Sequence, residues 1–210
     1  MRGLFITFEG TDGAGKSTQI RMINEYLMEN GFDTLLTREP GGCVISEKIR
    51  EILLDVNSES MDARTEALLY AASRAQHVEE VIRPAVDAGK IVLCDRFVDS
   101  SYAYQGFGRQ LGLKNIIKIN DFAAGGLLPD RTFFLQLPPE KAFLRMNEQK
   151  VHDRLESAGE AFHRRVYEGF LKISSLYKDR IVIIDVKGTK QETHALIRAA
   201  MDHILQRKQS

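Results

Sequence analysis

Gly10-Thr11-Asp12-Gly13-Ala14-Gly15-Lys16-Ser17 follows the apolar run Leu4–Phe8 and leads into a helical pattern over Ser17–Glu29. The octet satisfies the pattern G-x-x-x-x-G-K-[S/T]. Its glycines let backbone N–H groups converge on phosphate oxygens with no Cβ in the way. The helix that follows points the positive end of its dipole at the same place. Lys16 is placed to reach the β- and γ-phosphates of a nucleotide, and Ser17 to hold Mg²⁺. The strand–loop–helix order is the context this motif requires, so Gly10 to Ser17, with Thr18 next to them, are expected to bind the phosphates of ATP. The loop alone does not name a phosphate acceptor. A GTPase would also carry an Asn-Lys-x-Asp segment for guanine, and the sequence contains none.

Working outward, short apolar runs alternate with longer helical patterns. Strands are expected at Leu4–Phe8, Thr34–Thr37, Ile91–Cys94, Thr132–Leu137 and Ile181–Ile184, all β-branched or aromatic and apolar on both faces. Between them the helical spacing predicts Ser17–Glu29 (Ile20, Ile23, Tyr26, Leu27), a long helix over Thr65–Ala88 broken at Pro84, and then Pro139–Asn147, Glu160–Tyr177 and Gln191–Gln206. This alternation implies right-handed crossovers and an α/β fold: a doubly wound, five-stranded parallel sheet flanked by helices. Ligands in such folds sit beyond the carboxyl ends of the strands, so the loops after Phe8, Thr37 and Cys94 should share one rim.

The chain has 210 residues, 43% of them hydrophobic, enough for one ordinary domain with a buried core. Its 29 basic and 29 acidic residues balance, which argues against a nucleic-acid partner. An anionic ligand must then be held by a local cluster of cations. Two cysteines, Cys43 and Cys94, are too few for a disulfide framework and read as reduced thiols. The five histidines show no metal-ligand spacing. The N-terminal apolar run ends in Glu9, so it reads as a strand and not as a signal peptide. No run approaches the length of a membrane span. The cytoplasm is the expected location.

Three further segments bear on the acceptor. Thr37-Arg38-Glu39-Pro40-Gly41-Gly42 puts an arginine at a strand end before a tight turn, able to offer a planar fork to a phosphate. Tyr70 and Arg74 are four apart on the long helix and share a face, where a ring beside a guanidinium suits a base. Asp95 ends the third strand, where P-loop enzymes keep a carboxylate for the Mg²⁺ shell. Arg96 follows it, and Ser101 and Gln105 then lie four apart on a helix. Taken singly, each segment also reads as a surface arginine, a structural pair or a solvated helix face.

Together, in this order, FEGTDGAGKST (8–18), TREPGG (37–42), LLYAASRAQ (68–76) and DRFVDSSYAYQG (95–106) resemble the thymidylate kinase family along essentially the whole chain. The resemblance implies an ATP-dependent dTMP kinase using Mg²⁺, with no nucleic-acid or membrane partner, acting as a homodimer. It also implies one P-loop kinase domain over 1–210 with a small lid segment at about 146–158. By similarity, Arg38 and Arg96 hold the 5′-phosphate of dTMP, Tyr70 stacks on thymine, and Arg74 bonds a thymine carbonyl. Ser101 and Gln105 line the other side of the base, Tyr104 crowds a 2′-hydroxyl, and Asp12 contacts the sugar and influences the phosphates. Glu9 supports the same network. Ser17 and Asp95 are the expected metal residues.

With Ala14 in the loop, the chain resembles family members that carry the transfer-promoting cation in the lid. Here either Lys150 or Arg154 fills that role beside Lys16, Asp12 and Arg96. Arg145 and Lys187 are expected near ATP. The competing readings are a kinase of another nucleoside monophosphate and a nucleotide-binding regulatory module without transfer activity.

Overall fold

The computed structural model describes residues 2–146, 154–155 and 158–209. Five strands, β1 (Leu4–Glu9), β2 (Thr34–Arg38), β3 (Ile91–Asp95), β4 (Arg131–Gln136) and β5 (Ile181–Asp185), form one sheet in the order β2-β3-β1-β4-β5. Every pairing is parallel. The expected doubly wound α/β sheet is therefore present, with strand ends within a residue or so of those read from the sequence.

The strands show why both faces read as apolar. Leu4, Ile6 and Phe8 enter one core with Ile91, Leu93, Phe133 and Leu135, against Ile20, Ile23 and Leu27 of α1 (Lys16–Glu29). Phe5, Val92, Cys94 and Phe134 point the other way, into a second core with Phe97, Phe170 and Ile173. Successive side chains on a strand face opposite sides, so a strand covered by helices on both faces must be apolar throughout. The outer strands depart from this: Leu36 of β2 is 42% exposed and Ile183 of β5 is 49% exposed, because an edge strand has a neighbour on one side only.

Two helices were not expected from the sequence: α2 (Val44–Leu54) and α6 (Leu113–Ala123). The long helix begins at α3 (Ala63–His77), where the Asp62 side chain accepts from the Arg64 N–H at 3.0 Å as an N-cap. It continues through a π-helical stretch, Val78–Ile82, into α4 (Arg83–Asp87). The irregularity thus precedes Pro84, which lies in the first turn of the final segment, where a missing N–H is tolerated. After β3, α5 (Val98–Ser101) runs into a π-helical segment, Tyr102–Gly108. The chain then adds α7 (Pro139–Met146), α8 (Glu160–Leu176) and α9 (Lys190–Gln209). Both cysteines are free thiols. Among the described residues no helix is long and apolar enough to cross a membrane.

Candidate active site

The loops after β1, β2 and β3 meet at the carboxyl edge of the sheet. In the first, Gly10 (φ 144°) passes so close to β4 that a Cβ would lie 2.7 Å from the Leu135 carbonyl oxygen, and Gly15 (φ 89°) is the left-handed residue that opens α1. Side chains are excluded at the first position and disfavoured at the second. Lys16 is buried and donates to the loop carbonyls of Gly10 (3.1 Å) and Thr11 (3.0 Å). Burial pulls its ammonium pKa down. Asp12, Gly13, Gly15, Lys16, Ser17 and Thr18 line an open cavity of about 480 Å³ together with Arg38, Glu39, Arg50, Asp95 and Arg96. The remaining loop residues support it from behind. Thr11 Oγ1 donates to the Leu137 carbonyl at 3.3 Å, and Ala14 packs into the core.

At the mouth of this cavity the Ser17 hydroxyl donates to Asp95 Oδ2 at 2.8 Å, while Asp95 Oδ1 is buried with no hydrogen-bond partner. A hydroxyl beside a carboxylate with an unsatisfied oxygen fits a hard divalent cation that completes its shell with water and phosphate oxygens.

A second, smaller cavity of about 190 Å³ abuts the first. It is lined by Tyr70, Arg74, Phe97, Ser101, Tyr104, Gln105 and Leu155, and shares Asp12, Glu39, Arg50 and Arg96 with its neighbour. Its walls are pre-built by polar groups bonded to one another. Arg74 is 2% exposed and lies 5.0 Å from the Phe97 ring centroid. Its Nε donates to Glu39 Oε2 (2.8 Å) with Nη2 ion-paired to the same oxygen (2.7 Å), and its Nη1 donates to Ser101 Oγ (3.0 Å) and Asn120 Oδ1. Glu39 Oε1 is in turn 3.1 Å from His77 Nδ1, and His77 Nε2 is 2.6 Å from Thr37 Oγ1.

Arg96 joins the two cavities. It has φ 68° at the end of β3, donates to the Gly10 carbonyl and to Ser100 Oγ, each at 3.0 Å, and bonds Asp12 Oδ1. The Tyr104 hydroxyl donates to Asp12 Oδ2 at 3.1 Å. Burial works against ionisation of Asp12, but Arg96 and Lys16 outweigh it and hold its carboxyl well below the usual range. Glu9 organises the turn from below. Its carboxylate accepts from the backbone N–H of Phe97 (2.7 Å) and Ser100 (3.2 Å) and from the Ser100 hydroxyl (2.5 Å). Burial, with Asp99 nearby, pushes its pKa up to about 7. Asp99 itself is clamped by Arg180 at 2.6 Å and 2.7 Å, which fixes α5 and hence Ser100 and Ser101.

The sequence-derived candidates thus divide. Asp12, Arg74, Tyr70, Arg96, Ser101, Tyr104 and Gln105 converge on the smaller cavity. Arg38 lines the larger one, held bidentately by Glu47 at 2.7 Å and 2.9 Å. Arg154 does not join the phosphate loop. It is buried and donates to Glu66 Oε2 (Nη1, 2.7 Å) and to the Leu53 carbonyl (Nε, 3.0 Å), because the fully buried Glu66 needs cationic partners. That pairing seats the adjacent Leu155 against the smaller cavity. Lys187 is exposed and pairs with Asp185. Lys150, most of the expected lid segment and the Arg145 side chain lie outside the described residues.

Sequence reading missed Arg50, His77 and Glu66. Arg50 lies on α2 and donates to the Pro40 carbonyl at 2.8 Å. The signal for it was present in Ile45, Ile49, Ile52 and Leu53, at helical spacing after the Gly41-Gly42 turn.

A phosphate-cradling loop, a carboxylate–hydroxyl pair suited to a cation, and an adjoining base-sized cavity with shared arginines define the class: a P-loop kinase of the nucleoside monophosphate type. The description of the thymidylate kinase family matches residues 8–197. The chain is 51% identical over 207 residues to the thymidylate kinase of Geobacillus sp. (strain WCH70), covering 97% of this chain and 99% of that one. It is 56% identical over 188 residues to that of Lactobacillus helveticus (strain DPC 4571), covering 88% and 89%. The crystal structure of thymidylate kinase from Ehrlichia chaffeensis superimposes with a TM-score of 0.79 at 31% identity, over 96% of this chain and 99% of that one. The chain belongs to the thymidylate kinase family.

Proposed function

We propose that this chain transfers the γ-phosphoryl group of ATP to the 5′-phosphate of dTMP, giving dTDP and ADP. The observation that carries the reading is the shared wall. Arg96, Arg50 and Asp12 border both cavities, so two anionic substrates would meet across cationic side chains. Such transfer needs positioning and charge stabilisation more than covalent chemistry. Lys16, now bonded to its own loop carbonyls, would exchange them for the β- and γ-phosphates. Arg96 and Arg38 would receive the acceptor phosphate and offset its repulsion from ATP. On the base side, three N–H groups of Arg74 donate to protein acceptors and Nη2 ion-pairs with Glu39, so an Nη2 N–H would serve a thymine carbonyl. Tyr70 and Phe97 supply flat apolar surface. Tyr104, tied to Asp12, would crowd a 2′-hydroxyl.

Ser17 and Asp95 would hold Mg²⁺, which when bound neutralises charge developing on the phosphate oxygens. A single kinase domain over 1–210, a homodimeric assembly and a cytoplasmic location, all expected from the resemblance, belong to the same proposal. In support of the dimer, α2 and α3 leave Ile45, Ile52 and Leu68 at least half exposed, apolar surface that a second copy would cover. ADP release from Mg-ATP, with dTMP, dUMP, dCMP, UMP and dGMP offered separately, tests the reading. Preference for dTMP supports it. Preference for another monophosphate keeps the kinase and discards the base assignment. No turnover despite ATP binding leaves a nucleotide-binding module.

A further inference from the structure

Glu66 is fully buried on α3 and lines neither of the two cavities itself, yet it receives three side chains. Gln105 Nε2 donates to its Oε1 at 2.9 Å, Arg109 Nη2 and Arg154 Nη1 donate to its Oε2 at 2.9 Å and 2.7 Å, and Arg109 Nε lies 3.2 Å from both oxygens. Arg109 is further held with its guanidinium carbon 4.6 Å from the Phe162 ring centroid. Two guanidinium groups on one carboxylate keep it charged, and their bonds outweigh burial to bring its pKa below the ordinary value.

A charged carboxylate only accepts hydrogen bonds. It therefore decides which way round the Gln105 carboxamide stands: nitrogen toward Glu66, oxygen away from it. Gln105 also lines the acceptor-side cavity, where Arg74 offers a donor. The cavity then presents a donor from Arg74 and an acceptor from Gln105. Adjacent positions of a thymine or uracil ring match that pair with the 4-carbonyl and the N3–H. Cytosine reverses both, with an amino donor and a bare N3 acceptor.

We infer that Glu66 is a positioning residue that sets base specificity by fixing the orientation of the Gln105 carboxamide, so that the site takes 4-keto pyrimidines and rejects 4-amino pyrimidines. The inference rests on the dTMP kinase reading above. In a Glu66→Gln variant the neighbour of Gln105 can donate as well as accept, so both amide orientations become available.

The test is kcat/KM for dTMP and for dCMP, measured on the wild type, Glu66→Gln and Gln105→Met, with thermal melting of each. The wild type should strongly prefer dTMP. A wild type that prefers another monophosphate sinks the functional reading itself, before any variant is considered. Given that preference, Glu66→Gln should narrow the dTMP:dCMP ratio by about tenfold or more, the size expected when a buried polar reader loses its fixed partner. A loss that is equal for both substrates, with the ratio intact, would make Glu66 merely structural and overturn the inference. Should Glu66→Gln fail to fold, Gln105→Met still decides: it should narrow the ratio comparably, and an unchanged ratio would show that this carboxamide reads nothing.

Discussion

The two cavities on the sheet edge are built in opposite ways. In the proposed reading the larger cavity is the donor side and the smaller one the acceptor side; the larger holds the glycine-rich loop, a lysine parked on loop carbonyls at 3.0–3.1 Å, and a carboxylate oxygen left without a partner. On the acceptor side almost every polar group is already bonded to another, as in the Arg74–Glu39–His77–Thr37 chain and the Glu66–Gln105 pair. The donor side is an open set of charges that any triphosphate could complete. The acceptor side is a rigid template whose hydrogen-bonding pattern is chosen before the ligand arrives. Pre-organisation of this kind is what allows a site to discriminate, because a wrong ligand leaves buried polar groups unpaired.

The largest expected effect lies on the donor side. Lys16→Ala should lower dTMP-dependent ADP release by roughly 10³-fold or more while the circular dichroism spectrum stays native. Normal turnover in that variant would remove Lys16 from the transfer machinery and collapse the donor half of the contrast.

The acceptor template should show itself in stability as well as activity. Arg74→Met leaves Glu39, 4% exposed, with His77 as its remaining close partner, and removal of one member of a buried pair costs about 3–5 kcal/mol. Arg38→Met breaks the Glu47 pair in a side chain 46% exposed, where solvent screening limits the loss to about 1 kcal/mol or less. Denaturant unfolding of the two variants compares them directly. Equal losses would erase the distinction between a built-in and a surface arginine.

Glu9 supplies a pH test. Its carboxyl titrates near 7 in the folded chain against an ordinary 4.5. Between those values the folded state holds a proton that the unfolded state has lost. The stability from this protonation is therefore complete below about pH 4.5 and is lost as pH rises through about 7, by up to about 3 kcal/mol. Glu9→Gln can keep the bonds to Phe97 and Ser100 and should flatten that part of the stability–pH curve. A mutant curve with the wild-type slope would assign the dependence to another group.

The smallest effect is expected at the seam between the cavities. Tyr104→Phe deletes the 3.1 Å bond to Asp12 and should raise KM for dTMP by less than about tenfold. A larger rise would mean that the hydroxyl touches substrate.

Much of this site was legible beforehand because its chemistry is local in the chain. The loop from Gly10 to Ser17 lies within one turn between a strand and a helix, and Tyr70 with Arg74, or Ser101 with Gln105, share a face by helical spacing alone. What escaped notice was long-range. Glu66 and His77 gave no sign of burial in sequence, since a charged or polar residue on a helix reads by default as solvated. Arg154 looked like a lid cation because its string resembled one, and only the position of Glu66, 88 residues earlier, explains why it turns inward. Arg50 was lost with its whole helix, α2.

Sequence alone was enough for the five strands, the helices between them other than α2 and α6, the parallel sheet, the phosphate loop and the family, because these follow from side-chain periodicity and from residues adjacent in the chain. Tertiary structure alone decided which charges are buried against each other, that Arg96 and Arg50 form the wall between two cavities, and which way Gln105 is held. Those outcomes depend on burial and on distances between residues tens of positions apart, and a buried charge must take whatever partner the fold brings within reach.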